Sequence, residues 1–385
     1  MVIVSCTTKF HAFDLAEQMD ANNMLTALYT SYHSQKNTLV NRLHHRKDYE
    51  NITLKKIHTI FPIAAGIKKF PQYEYEFNNL FDKYVALRLS MRNDYKAFIG
   101  WSGMSLNTIK EIKKRNKLTI VERGSSHILY QDKINNEEYK LQTGKDIRIS
   151  KQIIEKELKE YELADYISIP SNFVKKSFLE YGVAESKLFY NPYGVSNIFQ
   201  QVNIKPETEK FKIVYLGHMG ICKGLLYMFQ AINNLKIPLD KYEVWFIGGM
   251  ADEIKEMYNK YQQSNWRYFG YIEHLELPNY LKECDVAIQP SVQEGLSRVI
   301  PQMLGLGIPV IASQNTGGED IIEEGKTGYI VPIRDSESIK NKIEALFNDN
   351  NLLNTLKLNA YEAAKHSLSW SCYGKNYSQF IKSVI

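Results

Sequence analysis

The stretch from Pro290 to Gly318 holds residue types and spacings suited to a phosphorylated, hydroxyl-rich ligand. It opens Pro290-Ser291, presents Glu294-Gly295 in a loop, and reaches Gln302 eight residues after Glu294. Glycine lets a backbone N–H approach a ligand closely. A helix entered near Ser297 is expected to point free amides outward, a ready place for phosphate. Glu294 beside it is an acceptor for sugar hydroxyls, and the Gln302 amide inside the helix suits a second hydroxyl pair. A second element, Tyr215-Leu216-Gly217-His218-Met219-Gly220-Ile221-Cys222-Lys223-Gly224, reads as a strand end, a glycine turn and a helix start. Lys223 in that position is placed to meet a diphosphate.

Other phosphate motifs drop out. No Gly-x-Gly-x-x-Gly follows a strand, which removes the main support for a nicotinamide enzyme. Gly325-Lys326-Thr327 resembles the end of a P-loop, but Asp320 stands where that motif needs glycine and a strand follows, so it reads as a turn. Cys6, Cys222, Cys284 and Cys372 lie far apart with no Cys-x-x-Cys, which argues against structural zinc or a redox pair and for buried, reduced thiols. His44, His45, Arg46 and Lys47 lack ligand spacing and read as a solvated basic cluster.

These residues need strand ends to hold them. In the second half, short apolar runs at Ile213–Leu216, Val244–Ile247, Arg267–Phe269, Val286–Ile288, Val310–Ala312 and Tyr329–Val331 alternate with amphipathic stretches. The first half repeats the theme at Val2–Ser5, Leu25–Tyr29, Phe98–Trp101, Leu118–Val121 and Tyr166–Ile169. Alternation of this kind predicts parallel sheets covered on both faces. The polar stretch Tyr130–Lys145 reads as a loop. Asn191-Pro192-Tyr193-Gly194-Val195, followed by polar sequence to Lys210, breaks the pattern and marks a boundary. At 385 residues the chain has room for two such domains, with a cleft between them as the default site. The fold class is therefore α/β, with two doubly wound Rossmann-like domains.

Net charge is +5, but residues 1–120 hold 18 Lys and Arg against 10 Asp and Glu, leaving −3 for the remainder. The excess is too small to imply nucleic acid. The N-terminus lacks the basic and apolar regions of a signal peptide, and no run approaches the length of a spanning helix. The expectation is a cytoplasmic protein, resting at most on the inner face of a membrane. Lys55-Lys56, Lys68-Lys69 and Lys110–Lys114 are the basic segments that would meet anionic headgroups or a lipid-linked acceptor; a solvated basic face is the rival reading.

Taken together the motifs resemble the retaining glycosyltransferases of family 4, which have the GT-B fold. The segment Ala164-Asp165-Tyr166-Ile167-Ser168-Ile169-Pro170-Ser171 and the later Tyr193-Gly194-Val195 add to the resemblance. It implies an acceptor domain over residues 1–193, completed by a C-terminal helix at 366–385, and a nucleotide-sugar domain over 194–365. It implies that Lys223 binds the donor diphosphate and Glu294 the donor sugar, that the backbone at Gly295 and Leu296 contacts phosphate, and that Gln302 faces the ribose. Tyr271 and Ile272 match the segment that holds the base. His127, after Glu122-Arg123-Gly124-Ser125-Ser126, matches a histidine near the reacting carbon; His11, Glu122 and Arg123 stand on the acceptor side. A packed role is the rival reading for either histidine. Two positions depart from the family pattern. His218 replaces an arginine and makes one charge on the diphosphate conditional on protonation, while Gln302 replaces a second glutamate. Arg298 is a further source of positive charge near the phosphates, with a solvent-exposed helix residue as the rival reading.

The resemblance implies transfer of a hexose-type sugar, with retention, from a nucleotide-diphosphate sugar (UDP weakly favoured) to a glycan or lipid-linked acceptor. Synthesis of a bacterial surface polysaccharide or lipopolysaccharide is the expected setting. No cofactor or metal is expected, and no Asp-x-Asp occurs. A nucleotide-sugar epimerase, or a non-catalytic nucleotide- or glycan-binding protein of the same fold, is the alternative.

Overall fold

Strands that are apolar on both sides are satisfied only inside a sheet covered on both faces. In a computed structural model, which describes residues 1–31, 52–60, 63–199, 210–367 and 369–385, they form two such sheets. The His44–Lys47 cluster lies outside the described residues. The first sheet contains β1 (Val2–Cys6), β2 (Leu25–Thr30), β3 (Ile57–Thr59), β4 (Ala97–Trp101), β5 (Leu118–Glu122), β6 (Tyr166–Ile169) and β7 (Leu188–Tyr190), ordered β3-β2-β1-β4-β5-β6-β7. The second contains β8 (Phe211–Leu216), β9 (Tyr242–Ile247), β10 (Trp266–Gly270), β11 (Val286–Gln289), β12 (Val310–Ser313) and β13 (Gly328–Val331), ordered β10-β9-β8-β11-β12-β13. Every pairing is parallel. Every residue of β1, β4, β8 and β9 is buried.

All strand C-termini in a parallel sheet share one edge. Strand order reverses between β1 and β4 in the first sheet and between β8 and β11 in the second. Loops leaving strands at such a reversal diverge and open a crevice, which is where ligands bind in open α/β sheets. Here those loops hold His11, after β1, Lys223, after β8, and Glu294, after β11.

The helix Trp370–Val384 returns to the first domain. Its Tyr373, Tyr377 and Ile381 join Val2, Val4 and Phe13 in one core, and Asn191 Nδ2 donates to the Tyr373 carbonyl at 3.2 Å. The preceding helix, Asn350–Ser367, stays with the second domain, where Leu353, Leu356 and Ala360 are buried.

Three expectations need correction. Tyr130–Lys145 is no loop but most of a helix, Ile128–Thr143, ended by Gly144 at φ +72°. A mostly polar helix is stable when it bridges two domains. Its fully buried Glu138 accepts from Tyr227 Oη (2.9 Å) and Arg334 Nε (2.6 Å), and Tyr139 Oη donates to Glu253 (2.7 Å), all in the second domain. The edge strands β3 and β7 and the helix Asn172–Glu180 were not expected. Of the four thiols, Cys6 and Cys284 are buried, but Cys222 is half-buried and Cys372 exposed.

Candidate active site

A cavity of ≈ 430 Å³ lies between the two strand-order reversals. The first domain lines it with Phe10, His11, Trp101, Ser102, Tyr193 and Glu122–Ser125. The second contributes Tyr215–His218, Lys223, Gln289, Glu294 and Leu296–Val299.

Lys223 Nζ donates to Glu294 Oε1, and Ser291 Oγ donates to the same oxygen at 3.2 Å. The two residues are 71 positions apart, so their meeting depends on how their loops pack. Gly224 makes that packing possible. It stands at φ +69°, and a Cβ there would lie 1.9 Å from the Pro290 carbonyl oxygen. The Glu294 amide donates to the Asn315 carbonyl at 2.9 Å, fixing the loop from its far side.

The same loop is fastened across the cleft. A Cβ on Gly295 would lie 1.9 Å from the Gly124 carbonyl oxygen, so only glycine permits this approach of the domains. Ser171 Oγ donates to the Gly295 carbonyl at 2.7 Å, and Gln293 Nε2 donates to Ser125 Oγ (2.7 Å) and Ser126 Oγ (3.0 Å). Leu296 packs into the first domain's core. Arg298 stands at the rim with its guanidinium 5.7 Å from the Trp370 ring centre. The His218 carbonyl accepts from Tyr215 Oη at 2.9 Å while the residue lines the cavity.

On the opposite wall, His11 Nε2 meets Glu122 Oε1 at 2.9 Å, and Tyr377 Oη donates to Glu122 Oε2 at 2.5 Å. Both His11 and Glu122 are buried. Trp101 and Tyr193 flank the His11 ring, with centres 5.0 and 4.3 Å away. Arg123 is buried beside them. Burial works against its charge, but Glu157 at 2.9 Å, together with Tyr161, Glu160 and Tyr193, outweighs this and holds its pKa above the ordinary arginine value. Its other nitrogens donate to the Ser126 carbonyl (3.0 Å) and Gln131 (2.6 Å), so its head is committed to the first domain.

The structure gathers His11, Glu122, Arg123, His218, Lys223, Glu294, Leu296 and Arg298 around one cavity, with Gly295 at the domain contact. It does not bring His127 there. That residue caps the helix Ile128–Thr143, accepting from the Leu129 amide at Nδ1 (3.3 Å). Its ring stacks on Tyr181 at 4.7 Å and meets Phe178 edge-on. Burial, with Arg123 second, pushes its pKa down to about 4. Its placement is that of a packed, neutral capping group, and His11 is the histidine that the cavity reaches. Tyr271 is 74% exposed just after β10, Ile272 packs against the second domain's core, and Gln302 is buried within the helix Val299–Gly305. None of these three lines the cavity. Sequence reasoning passed over Trp101, Tyr193, Gln293 and Tyr377. Gln293 carried a signal as the neighbour of Glu294, and Tyr193 as part of the Tyr193-Gly194-Val195 segment. Among the described residues no three His, Cys, Asp or Glu side chains gather as a metal site.

Residues 196–363 match the family model described as glycosyl transferases group 1. The match covers most of the second domain. Over the whole chain the fold is GT-B. Sucrose-phosphate synthase from Thermosynechococcus elongatus superposes with a TM-score of 0.74 over 100% of this chain and 98% of its own, at 15% identity. HepE of Anabaena, in complex with UDP and glucose, superposes with a TM-score of 0.68 over 100% and 99%, at 11% identity. At such identities the likeness is one of fold. In sequence, the capsular polysaccharide biosynthesis glycosyltransferase CapM of Staphylococcus aureus is 26% identical over 241 residues, 57% of this chain and 62% of CapM. The chain spans 50% to 69% of the length of the first curated relatives it matches. The matched segment carries Lys223, Glu294 and Arg298, and the first domain carries His11 and Glu122.

Proposed function

We propose that this chain is a retaining glycosyltransferase. It moves a hexose-type sugar from a nucleotide-diphosphate sugar to a hydroxyl of a glycan or lipid-linked acceptor, in assembly of a bacterial surface polysaccharide or lipopolysaccharide. The reading rests on one juxtaposition: a cation suited to diphosphate, Lys223, and a carboxylate suited to sugar hydroxyls, Glu294, side by side in a cleft between two sheets. A donor exchanges their mutual pairing for a phosphate on Lys223 and a hydroxyl on Glu294. Charge that develops on the departing diphosphate is met by Lys223 and Arg298, and by His218 when protonated, so the reaction needs no metal. The carboxylates among the lining residues are Glu122 and Glu294. Glu122 is bonded to His11 and Tyr377, and Glu294 to Lys223, which favours departure and attack on one face of the sugar over a covalent intermediate. HepE's description with UDP and glucose favours UDP as the carrier, and the work of CapM in capsule synthesis favours a surface-polysaccharide acceptor.

The test is turnover of UDP-, GDP- and ADP-sugars against a panel of glycan acceptors with excess chelator present. Transfer should persist with chelator and disappear in Glu294→Ala, whose thermal transition should stay close to the parent's. A fully active variant, or a parent silenced by chelation, overturns the reading. Donor turnover without any acceptor would point to an epimerase instead.

A further inference from the structure

The helix Glu74–Ser90 is apolar on two sides. Phe81, Val85 and Leu89 are buried in the first domain. On the other side Tyr73, Leu80, Tyr84, Leu87 and Met91 are exposed, the last two by 61% and 65%. Their spacings of seven, four, three and four residues follow the helical repeat, so they form one stripe about 27 Å long at 1.5 Å per residue. Single exposed apolar residues need no explanation, but a continuous stripe does. Phe70, 41% exposed, extends it, because the helix Ile63–Lys69 packs alongside with Gly66 against the Phe77 ring.

The stripe has a basic rim. Lys68, Lys69, Lys83 and Arg88 are exposed around it, against the acids Glu74 and Glu76 in the first turn. Lys69 Nζ sits 5.4 Å from the Phe70 ring centre, and Lys68, Lys83 and Arg88 form no ion pair with a described residue. The other basic segments are paired in part. Lys56 pairs with Asp20, Lys113 with Asp165 and Lys114 with Glu111, so part of the first domain's positive excess is answered internally. Lys55, Lys96 and Lys110 likewise form no ion pair with a described residue, so what sets this face apart is the exposed apolar stripe beside its cations.

We propose that this face rests on an anionic lipid bilayer, with Leu80, Leu87, Met91 and the aromatic rings at the headgroup–acyl boundary and the four cations among the headgroups. An apolar stripe bordered by Lys and Arg is the composition of an interfacial helix, and tyrosine suits a boundary that is apolar on one side and wet on the other. A second copy fits less well, since a two-fold contact would set this basic rim against its own copy. The inference goes beyond the transfer reading by naming the surface that brings the cleft to a membrane-borne acceptor. Lipid binding and donor turnover are measured separately, so each can fail alone.

The experiment is co-sedimentation of the full chain with phosphatidylglycerol-rich vesicles and with pure phosphatidylcholine vesicles. The parent should bind the anionic vesicles, more weakly as salt rises, and bind the neutral ones poorly. Leu80→Asp/Leu87→Asp and, independently, Lys83→Glu/Arg88→Glu should each weaken binding about tenfold or more while keeping the parent's thermal transition. A parent that ignores anionic vesicles, or either exposed pair leaving binding unchanged, overturns the proposal. So does a stable dimer in light scattering that Leu87→Asp dissociates, which would give the face to a second copy.

Discussion

Tyr377, in the last helix, donates its hydroxyl to Glu122 at the end of β5, 255 residues earlier in the chain. The other carboxylate oxygen faces His11 Nε2 at 2.9 Å. A buried carboxylate accepting from both holds the imidazole in one orientation and keeps the proton on Nε2. Tyr377→Phe removes one donor and leaves a buried oxygen short of a partner. We expect about 1–3 kcal/mol of lost unfolding free energy by urea titration. We also expect kcat to fall while the KM for donor stays within twofold. An unchanged kcat would show that the network is structural only.

Lys223 and Glu294 should separate into two phenotypes. Lys223→Ala should weaken binding of UDP itself, seen as a smaller UDP-induced rise in the thermal transition. Glu294→Gln should leave the UDP response intact and cut transfer about a hundredfold or more, since a neutral amide replaces the charged acceptor for sugar hydroxyls. Equal loss of UDP response in both would place Glu294 on the phosphates instead.

Gly295 sets how closely the domains approach. A Cβ there would lie 1.9 Å from the Gly124 oxygen and 2.9 Å from Ser125 Cα. Gly295→Ala should widen the molecule in solution scattering and lower turnover sharply, while circular dichroism shows both domains still folded. A parent-like scattering curve with parent-like turnover would contradict the contact.

His127 makes a prediction about pH and stability. Its folded pKa of about 4 lies below the ordinary 6.5. Between those values the unfolded chain binds the proton and the folded chain does not, so stability rises with pH across the window and falls as pH drops through it. The contribution is on the order of 3 kcal/mol at most. His127→Asn keeps a capping side chain without a titrating ring. Subtracting the variant's stability curve from the parent's should give a difference that changes between pH 6.5 and 4 and is flat above pH 7.

Much of the scaffold was legible because parallel strands buried on both faces leave short β-branched and aromatic runs. All six strands of the second sheet lie on runs read from the sequence, within two residues at each end. What escaped obeys other physics. The edge strands β3 and β7 are half-buried or exposed; β3 (Ile57-His58-Thr59) carries no continuous apolar run, and β7 (Leu188-Phe189-Tyr190) has one of only three residues. The helix Ile128–Thr143 is polar because its partners are charged groups of the other domain, and periodicity cannot see an interdomain bond. The choice between the two histidines had the same character. His127 follows a suggestive motif, but its ring turns into an aromatic cluster; His11 has little local signal and is held at the cavity by a carboxylate 111 residues away. Lys223 and Glu294 were legible because glycines beside strand ends announce where backbone must yield to a neighbour or a ligand.

The return of Trp370–Val384 to the first domain has a consequence for synthesis on the ribosome. The strands of that domain are made by residue 190, yet Tyr373, Tyr377 and Ile381 of its core come 180 residues or more later. At roughly 5–20 residues per second, the nascent domain waits about 10–40 s with an open gap in its core and Glu122 without its tyrosine. The second domain, which closes its sheet within residues 211–331, has time to fold first. Order of manufacture and order of completion are therefore reversed: the half made first is finished last, and the wall of the cleft built on His11 is assembled only as translation reaches the final helix.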